Sequence, residues 1–394
     1  MESFYKTHKQ LVENIQSPVR RLLVDEIDWT KRLIGIKGSR GVGKTTFLLQ
    51  YAKERYGAIN RLCLYVNFNN FYFAGHSLKE FAEKFYDKGG RTLLLDQMFK
   101  YEDWSKELRY CYDTFPELQI IFTGSSVMRL MEDNEDLQQI VTPYNLRGFS
   151  FREYLNLQTN LNLPAYSLTE ILHNHKNIAL EISEKVNPLT HFSACLHHGY
   201  YPFYLENRNY SENLLKTMNM MLEVDILLIK KIDIKYLSKI RKLLYIVLQS
   251  TPNTLNVSQL SEEIETSRLT VMNYIKYLQD ARLINLLYST GDSFPKKPRM
   301  LYMQNTNLMH AISLKEVDAD NERKTFLYNT LQARHRINLG KQHGDFYIDN
   351  LFNIKYLKNE KIRNKTNLKL IFAVNDLLIG YKNKIPLWLF GFLY

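Results

Sequence analysis

A run of nine residues, Gly38, Ser39, Arg40, Gly41, Val42, Gly43, Lys44, Thr45 and Thr46, constrains this chain more than any other stretch. It follows a short apolar segment, Arg32 to Gly38, that ends in glycine and reads as a buried strand. It leads into Thr45 to Arg55, a helix-forming run with Gly57 just past its end. Gly38, Gly43, Lys44 and Thr45 fit the spacing G-x-x-x-x-G-K-S/T. The glycines let backbone N–H groups turn inward, and the helix N-terminus adds partial positive charge, which together make a cradle for phosphates. Lys44 is expected to reach the β- and γ-phosphates, and the Thr45 hydroxyl to ligate Mg²⁺. ATP and Mg²⁺ are therefore the expected cofactors.

The surrounding sequence repeats the strand–helix alternation. Residues 61–68, 91–96, 119–126 and 143–149 read as further strands, with helices over 4–16, 77–88 and 104–114 between them. Continuous apolar strands alternating with helices predict a parallel sheet covered on both faces over residues 1–150, an α/β P-loop NTPase fold. The third strand ends in Leu-Leu-Leu-Asp, so Asp96 is the expected carboxylate partner of the metal. Gln97 follows it and can orient water. The fourth strand ends in Thr123, Ser125 and Ser126, small hydroxyls suited to sensing a γ-phosphate, and Ser125 is taken with Gln97 as a catalytic candidate.

The remaining 244 of the 394 residues read as a helical lid over 151–235, a winged helix over 236–306 and a small α/β region over 307–394. Asn256 with Gln259, and Ser267, open two helices. Val271, Ile275 and Leu278 give the second a buried face, while Arg268, Thr270, Asn273 and Tyr277 can lie outside it as on a recognition helix. Lys296, Lys297 and Arg299 occupy the turn between two strands and would form a basic wing. Charge supports an anionic partner at this end. Residues 1–225 carry 26 Lys/Arg and 27 Asp/Glu, whereas residues 226–394 carry 26 and 14, a net +12. No apolar run reaches the ~18–20 residues needed to span a bilayer, and three scattered cysteines, Cys63, Cys111 and Cys195, argue for a reducing cytoplasm. Cys195 with His197 and His198 falls short of the four ligands of a zinc site. Met218, Met220 and Met221 read as core.

The segment LLLDQMFKYEDWSKELRYCYDTFPELQIIFTGSS followed by NLRGFSFREYL resembles the prokaryotic AAA-like ATPases of the archaeal-ATPase type. HGYYPFYLE, LYMQNTNLMHAI, GDFYID and KIPLWLFGFLY resemble further segments of that family. The resemblance implies a P-loop domain, helical lid, winged helix and C-terminal restriction-endonuclease-like domain. The chain departs from the pattern at informative positions. Gln97 stands where the family has glutamate, which polarises the attacking water. Gln138 and Gln139 stand where it has a pair of arginines able to reach a neighbour's ATP. Glu102 or Asp103 could stand in as the base. In the nuclease-like region Asp345 and Lys355 match the family, but Asn353 replaces a carboxylate and Lys324 an upstream glutamate. A hard cation wants anionic oxygens, so a nuclease fold without nuclease chemistry is expected. The function expected is a Mg·ATP-dependent switch with slow or impaired hydrolysis, coupled to DNA, with self-association possible. The alternatives are a DNA-binding regulator in which ATP is structural, and an ATP-dependent nuclease.

Overall fold

Apolar strands separated by amphipathic helices leave few options for burial, and the chain takes the layered one. The computed structural model describes residues 1–128, 130–131, 134–206, 209–227, 229–250, 256–313, 316–359 and 370–394. They form two units, Met1–Arg147 and Gly148–Tyr394.

The first unit runs α1 (Glu2–Asn14), α2 (Leu23–Glu26), β1 (Leu33–Gly38), α3 (Lys44–Arg55), β2 (Cys63–Asn67), α4 (Leu78–Asp87), β3 (Thr92–Asp96), α5 (Trp104–Thr114), β4 (Gln119–Ser125) and β5 (Thr142–Asn145). All strand pairings are parallel, in the order β2-β3-β4-β1-β5. β1 is therefore interior, flanked by β4 and β5, and the burial of Leu33 to Ile36 explains why that stretch is apolar, with Lys37 half-buried near its end. The C-terminal ends of β1, β3 and β4 lie side by side, and ligands of open parallel sheets bind at that edge. Phe4, Tyr5, His8 and Val12 form the buried stripe of α1. The fifth strand is shorter than the expected 143–149. It pairs with β1 only from Ile34↔Thr142 to Lys37↔Asn145, after which the Leu146 carbonyl crosses over Gly38, where any Cβ would lie 2.4 Å from it.

The second unit begins with three helices, α6 (Phe151–Thr159), α7 (Leu168–Lys185) and α8 (Leu189–His198). The first two open with capping boxes, Ser150 with Glu153 and Ser167 with Glu170. α9 (Tyr210–Met220) continues as a π-helical turn over Met221–Ile226. Then come α10 (Leu237–Ser250), α11 (Val257–Glu263), α12 (Arg268–Asp280) and an antiparallel hairpin of β6 (Ile284–Leu287) and β7 (Met300–Met303). α13 (Thr306–Ile312) and α14 (Ala319–Leu331) precede β8 (Ile337–Leu339), β9 (Phe346–Ile348), β10 (Phe352–Leu357), β11 (Leu370–Val374) and β12 (Lys384–Pro386). β8, β9 and β10 form an antiparallel meander, and β10, β11 and β12 run parallel. One apolar cluster joins Phe151 and Leu155 of α6, Leu287 and Tyr302 of the hairpin, Tyr328 of α14 and the closing residues Trp388, Phe390 and Phe392.

Candidate nucleotide site

The phosphate loop is built as its sequence demands. Gly41 and Gly43 have φ of 80° and 92°, a left-handed backbone that other residues enter at a cost. Gly43 is the N-cap of α3, so the loop ends on the positive end of a 12-residue helix. Lys44 is folded back on the start of the loop, its Nζ donating to the carbonyls of Gly38 (2.8 Å) and Ser39 (2.9 Å). Those bonds hold the ammonium against the start of the loop. Val42 and Ser39 are buried, and Arg40, Thr45 and Thr46 are more open. The buried Arg21 guanidinium donates to the Val42 carbonyl at 3.0 Å and to the Arg147 carbonyl at 2.5 Å, bracing the loop from the N-terminal segment.

The expected metal pair is brought together across 51 residues of sequence. The Thr45 hydroxyl donates to Asp96 Oδ2 at 2.7 Å. Asp96 is 1% exposed, and polar atoms so buried need hydrogen-bond partners. It has two more donors, the Tyr65 hydroxyl on Oδ2 at 2.9 Å and the Thr123 hydroxyl on Oδ1 at 2.5 Å. A hydroxyl and a carboxylate oxygen beside a phosphate cradle are the hard donors Mg²⁺ prefers, so the residues present fit the ion. Thr45 and Asp96 would hold it, and it would supply positive charge to offset that of bound phosphates.

Gln97, next along the chain, sits at φ 60°. Its backbone N–H donates to the Thr123 hydroxyl at 3.0 Å. Thr123 thus ties the backbone of Gln97 to the carboxylate of Asp96. Ser125 lies further along β4, opposite Gly38 at the start of the loop, and its hydroxyl accepts the Val127 N–H at 3.4 Å. Glu102 and Asp103 line an open cavity of about 490 Å³ with Phe68, Asn69 and Tyr101, and Asp103 is paired to Lys106 at 2.8 Å. Gln138 and Gln139 are exposed. Nothing in the local sequence marks Tyr65 or His8 as part of the site. An aromatic inside an apolar strand and a histidine on a helix stripe both read as core filler, and their partners lie 31 and 57 residues away.

In the basic half, the side chains of Asn256 and Ser267 accept the N–H groups of Gln259 and Thr270, as expected of caps. On α12, Val271, Ile275 and Leu278 are buried, and so are Met272 and Tyr274. Of the expected outward residues only Arg268 is fully exposed, while Thr270, Asn273 and Tyr277 are half-buried. The open part of this helix is its first turn, Arg268 with the 70%-exposed Leu269. Lys296, Lys297 and Arg299 are all exposed in the hairpin turn. Lys296 pairs with Asp292 at 2.6 Å, and Arg299 Nε donates to Ser289 Oγ at 3.0 Å.

Asp345 leads into β9, and its Oδ2 accepts the Tyr356 N–H at 2.8 Å. The Lys324 ammonium lies 3.7 Å from Asp345 Oδ1. Asn353 accepts the Lys341 N–H at 3.1 Å and donates to the Lys341 carbonyl at 2.5 Å, so its amide ties down a turn. Lys355 is half-buried two residues further along β10. His197 and His198 pack in an aromatic cluster with Tyr154, Tyr204 and His310. The Asn307 amide stitches this segment to α13, accepting the Tyr200 N–H at 2.8 Å and donating to the Leu196 carbonyl at 2.8 Å. Among the described residues no helix is long and apolar enough to cross a membrane.

The sequence profile of an AAA domain matches residues 30–155, and that of a domain of unknown function matches residues 189–318. An uncharacterised protein of Methanocaldococcus jannaschii is 29% identical over 283 residues, which is 68% of this chain and 59% of that protein. The chain thus spans about three-fifths of the length of the relative it matches. The Thermotoga maritima RuvB Holliday junction branch migration motor aligns over 73% of this chain and 89% of its own, at 13% identity and a TM-score of 0.27. The Aeropyrum pernix Orc1 protein in complex with DNA aligns over 79% and 91%, at 10% identity and a TM-score of 0.30. Structural overlap at these scores carries no argument. The profile match and the strand order do, and they agree: the N-terminal unit holds an AAA-type P-loop ATPase-like domain.

Proposed function

We propose that this chain binds Mg·ATP on the loop Gly38–Thr46 and uses the nucleotide to set the DNA affinity of its basic C-terminal half. The observation that carries the reading is the Thr45–Asp96 hydrogen bond, which joins the two expected metal-holding groups at the mouth of the phosphate cradle. Hydrolysis is slow in this reading. Gln97 can orient a water but cannot take its proton, and Gln138 and Gln139 offer no cationic charge to a neighbour's ATP in a self-associated form. Cytoplasmic location belongs to the same reading.

The division into ATPase domain (1–150), helical lid (151–235), winged helix (236–306) and nuclease-like domain (307–394) is part of the proposal. The order α10–α11–α12 followed by the β6–β7 hairpin supports the winged helix. Arg268 and Asn273 on α12, with Lys296, Lys297 and Arg299 in the turn, are its proposed DNA contacts. An antiparallel β8–β9–β10 meander with β11 parallel to β10 supports the nuclease-like core. Cutting is not part of its role. Lys324 sets a positive charge against Asp345, and Asn353 is occupied by the Lys341 backbone.

The test is DNA affinity of the full chain, measured across a salt series with and without ATP. A switch requires different affinities in the two states, and phosphate contacts give a linear fall of log K with log salt. Equal affinities would favour the regulator with structural ATP. Mg²⁺-dependent DNA cleavage lost in Asp345→Ala would favour the nuclease.

A further inference from the structure

We infer that Tyr65 is a positioning residue for Asp96, holding its carboxylate in the orientation that meets the magnesium ion of bound Mg·ATP. The inference rests on the reading of the loop as a Mg·ATP site. Asp96 has two oxygens and three hydroxyl donors. Thr45 on Oδ2 is itself a prospective metal ligand, and Thr123 on Oδ1 also anchors the Gln97 backbone. Tyr65 donates to Oδ2 at 2.9 Å, the same oxygen that Thr45, the other prospective metal ligand, bonds. Its ring is 4% exposed, and packing leaves the hydroxyl little freedom to turn away.

The backbone of Tyr65 is braced as firmly as its tip. β2 is an edge strand of the sheet, and an edge carries backbone N–H groups with no strand to pair them. The Tyr65 N–H instead donates to Nδ1 of His8 at 2.9 Å, from a helix that covers this edge. His8 is 1% exposed, and burial lowers its affinity for a second proton, which keeps Nδ1 an acceptor. A chain of contacts therefore runs from α1 through the Tyr65 backbone to the hydroxyl and the carboxylate. Hydrogen bonds that orient metal-holding carboxylates are worth about 10–100-fold in metal affinity.

The experiment is calorimetric titration of the full chain with ATP, in EDTA and at a series of Mg²⁺ concentrations. Wild type, Tyr65→Phe, Asp96→Asn and the double variant are compared, with thermal melts to show that each is folded. Tyr65→Phe keeps the ring and should leave Mg²⁺-free ATP affinity unchanged. The Mg²⁺ concentration for half-maximal tightening should rise about 10–100-fold. In the Asp96→Asn background, Tyr65→Phe should add nothing, because the hydroxyl works through that carboxylate. A wild-type Mg²⁺ dependence in Tyr65→Phe would overturn the inference. So would an equal loss of Mg²⁺-free and Mg²⁺-bound affinity, which would mark Tyr65 as purely structural. Failure of the wild type to bind ATP at all would overturn the site reading, and this inference with it.

Discussion

Replacing Thr123 with valine should damage the N-terminal unit far more than replacing it with serine. Valine has nearly the same shape, so it opens no cavity. It removes one hydrogen bond to the buried Asp96 carboxylate and leaves the Gln97 N–H without its acceptor. A hydrogen bond to a charged group is worth about 1.5–3 kcal/mol, and an unpaired buried N–H costs about 1–3 kcal/mol. Gln97 is only half-buried, so the second cost lies at the low end. Together Thr123→Val should cost about 2–4 kcal/mol, which for a unit of this size lowers Tm by about 5–15 °C. Thr123→Ser keeps both hydrogen bonds and loses one buried methyl, about 1 kcal/mol. Unfolding in urea, followed by tryptophan fluorescence in a Trp388→Phe background, leaves Trp29 and Trp104 to read this unit. Equal stability of the valine and serine variants would refute the argument that Thr123 works through its hydroxyl.

Gln97→Glu should raise steady-state phosphate release by up to about 10²–10⁴-fold, the usual worth of a general base. Adding Gln139→Arg should raise it further only where the protein self-associates; rapid wild-type turnover insensitive to Gln97→Glu would point to Glu102 or Asp103. Changing Lys296, Lys297 and Arg299 together to alanine should flatten the salt dependence of DNA binding by about 0.9 per lost phosphate contact, and an unchanged slope would exclude the hairpin turn from the interface. His8 titrates in the folded unit below its ordinary value of 6.5 because it is buried. The unfolded chain therefore takes up this proton first as pH falls, so the His8 contribution to stability is present above about 6.5 and is lost toward the lower folded pKa. His8→Gln keeps an acceptor without the titration, and it should lose less stability than wild type between about pH 7.5 and about pH 5.5 in urea unfolding.

What the sequence makes legible is what short-range patterns encode. The phosphate loop is a contiguous run with fixed spacing, and the caps Ser77, Asn256 and Ser267 lie three residues from the N–H groups they accept. Asp96 was readable because it ends an apolar strand. Tyr65 was not, since nothing local separates a packed ring from one whose hydroxyl meets a carboxylate 31 residues on. The Lys324–Asp345 contact is intermediate: the substitution of charge at Lys324 is visible in the sequence, but its meeting with Asp345 needs the fold. α12 shows the opposite error. Val271, Ile275 and Leu278 predict a narrow buried stripe, and Met272 and Tyr274 widen it, because α12 packs against α10, α11 and β6.

The central claim is that Gly38–Thr46 is a working Mg·ATP cradle, and direct titration of the full chain with Mg·ATP tests it. Lys44 is the loop cation expected to meet the β- and γ-phosphates, and its Nζ donates to the Gly38 and Ser39 carbonyls. Saturable 1:1 binding by the wild type is predicted, with none detectable for a Lys44→Ala variant that melts like the wild type. Equal ATP affinity in the two proteins, or no binding by either, would contradict it.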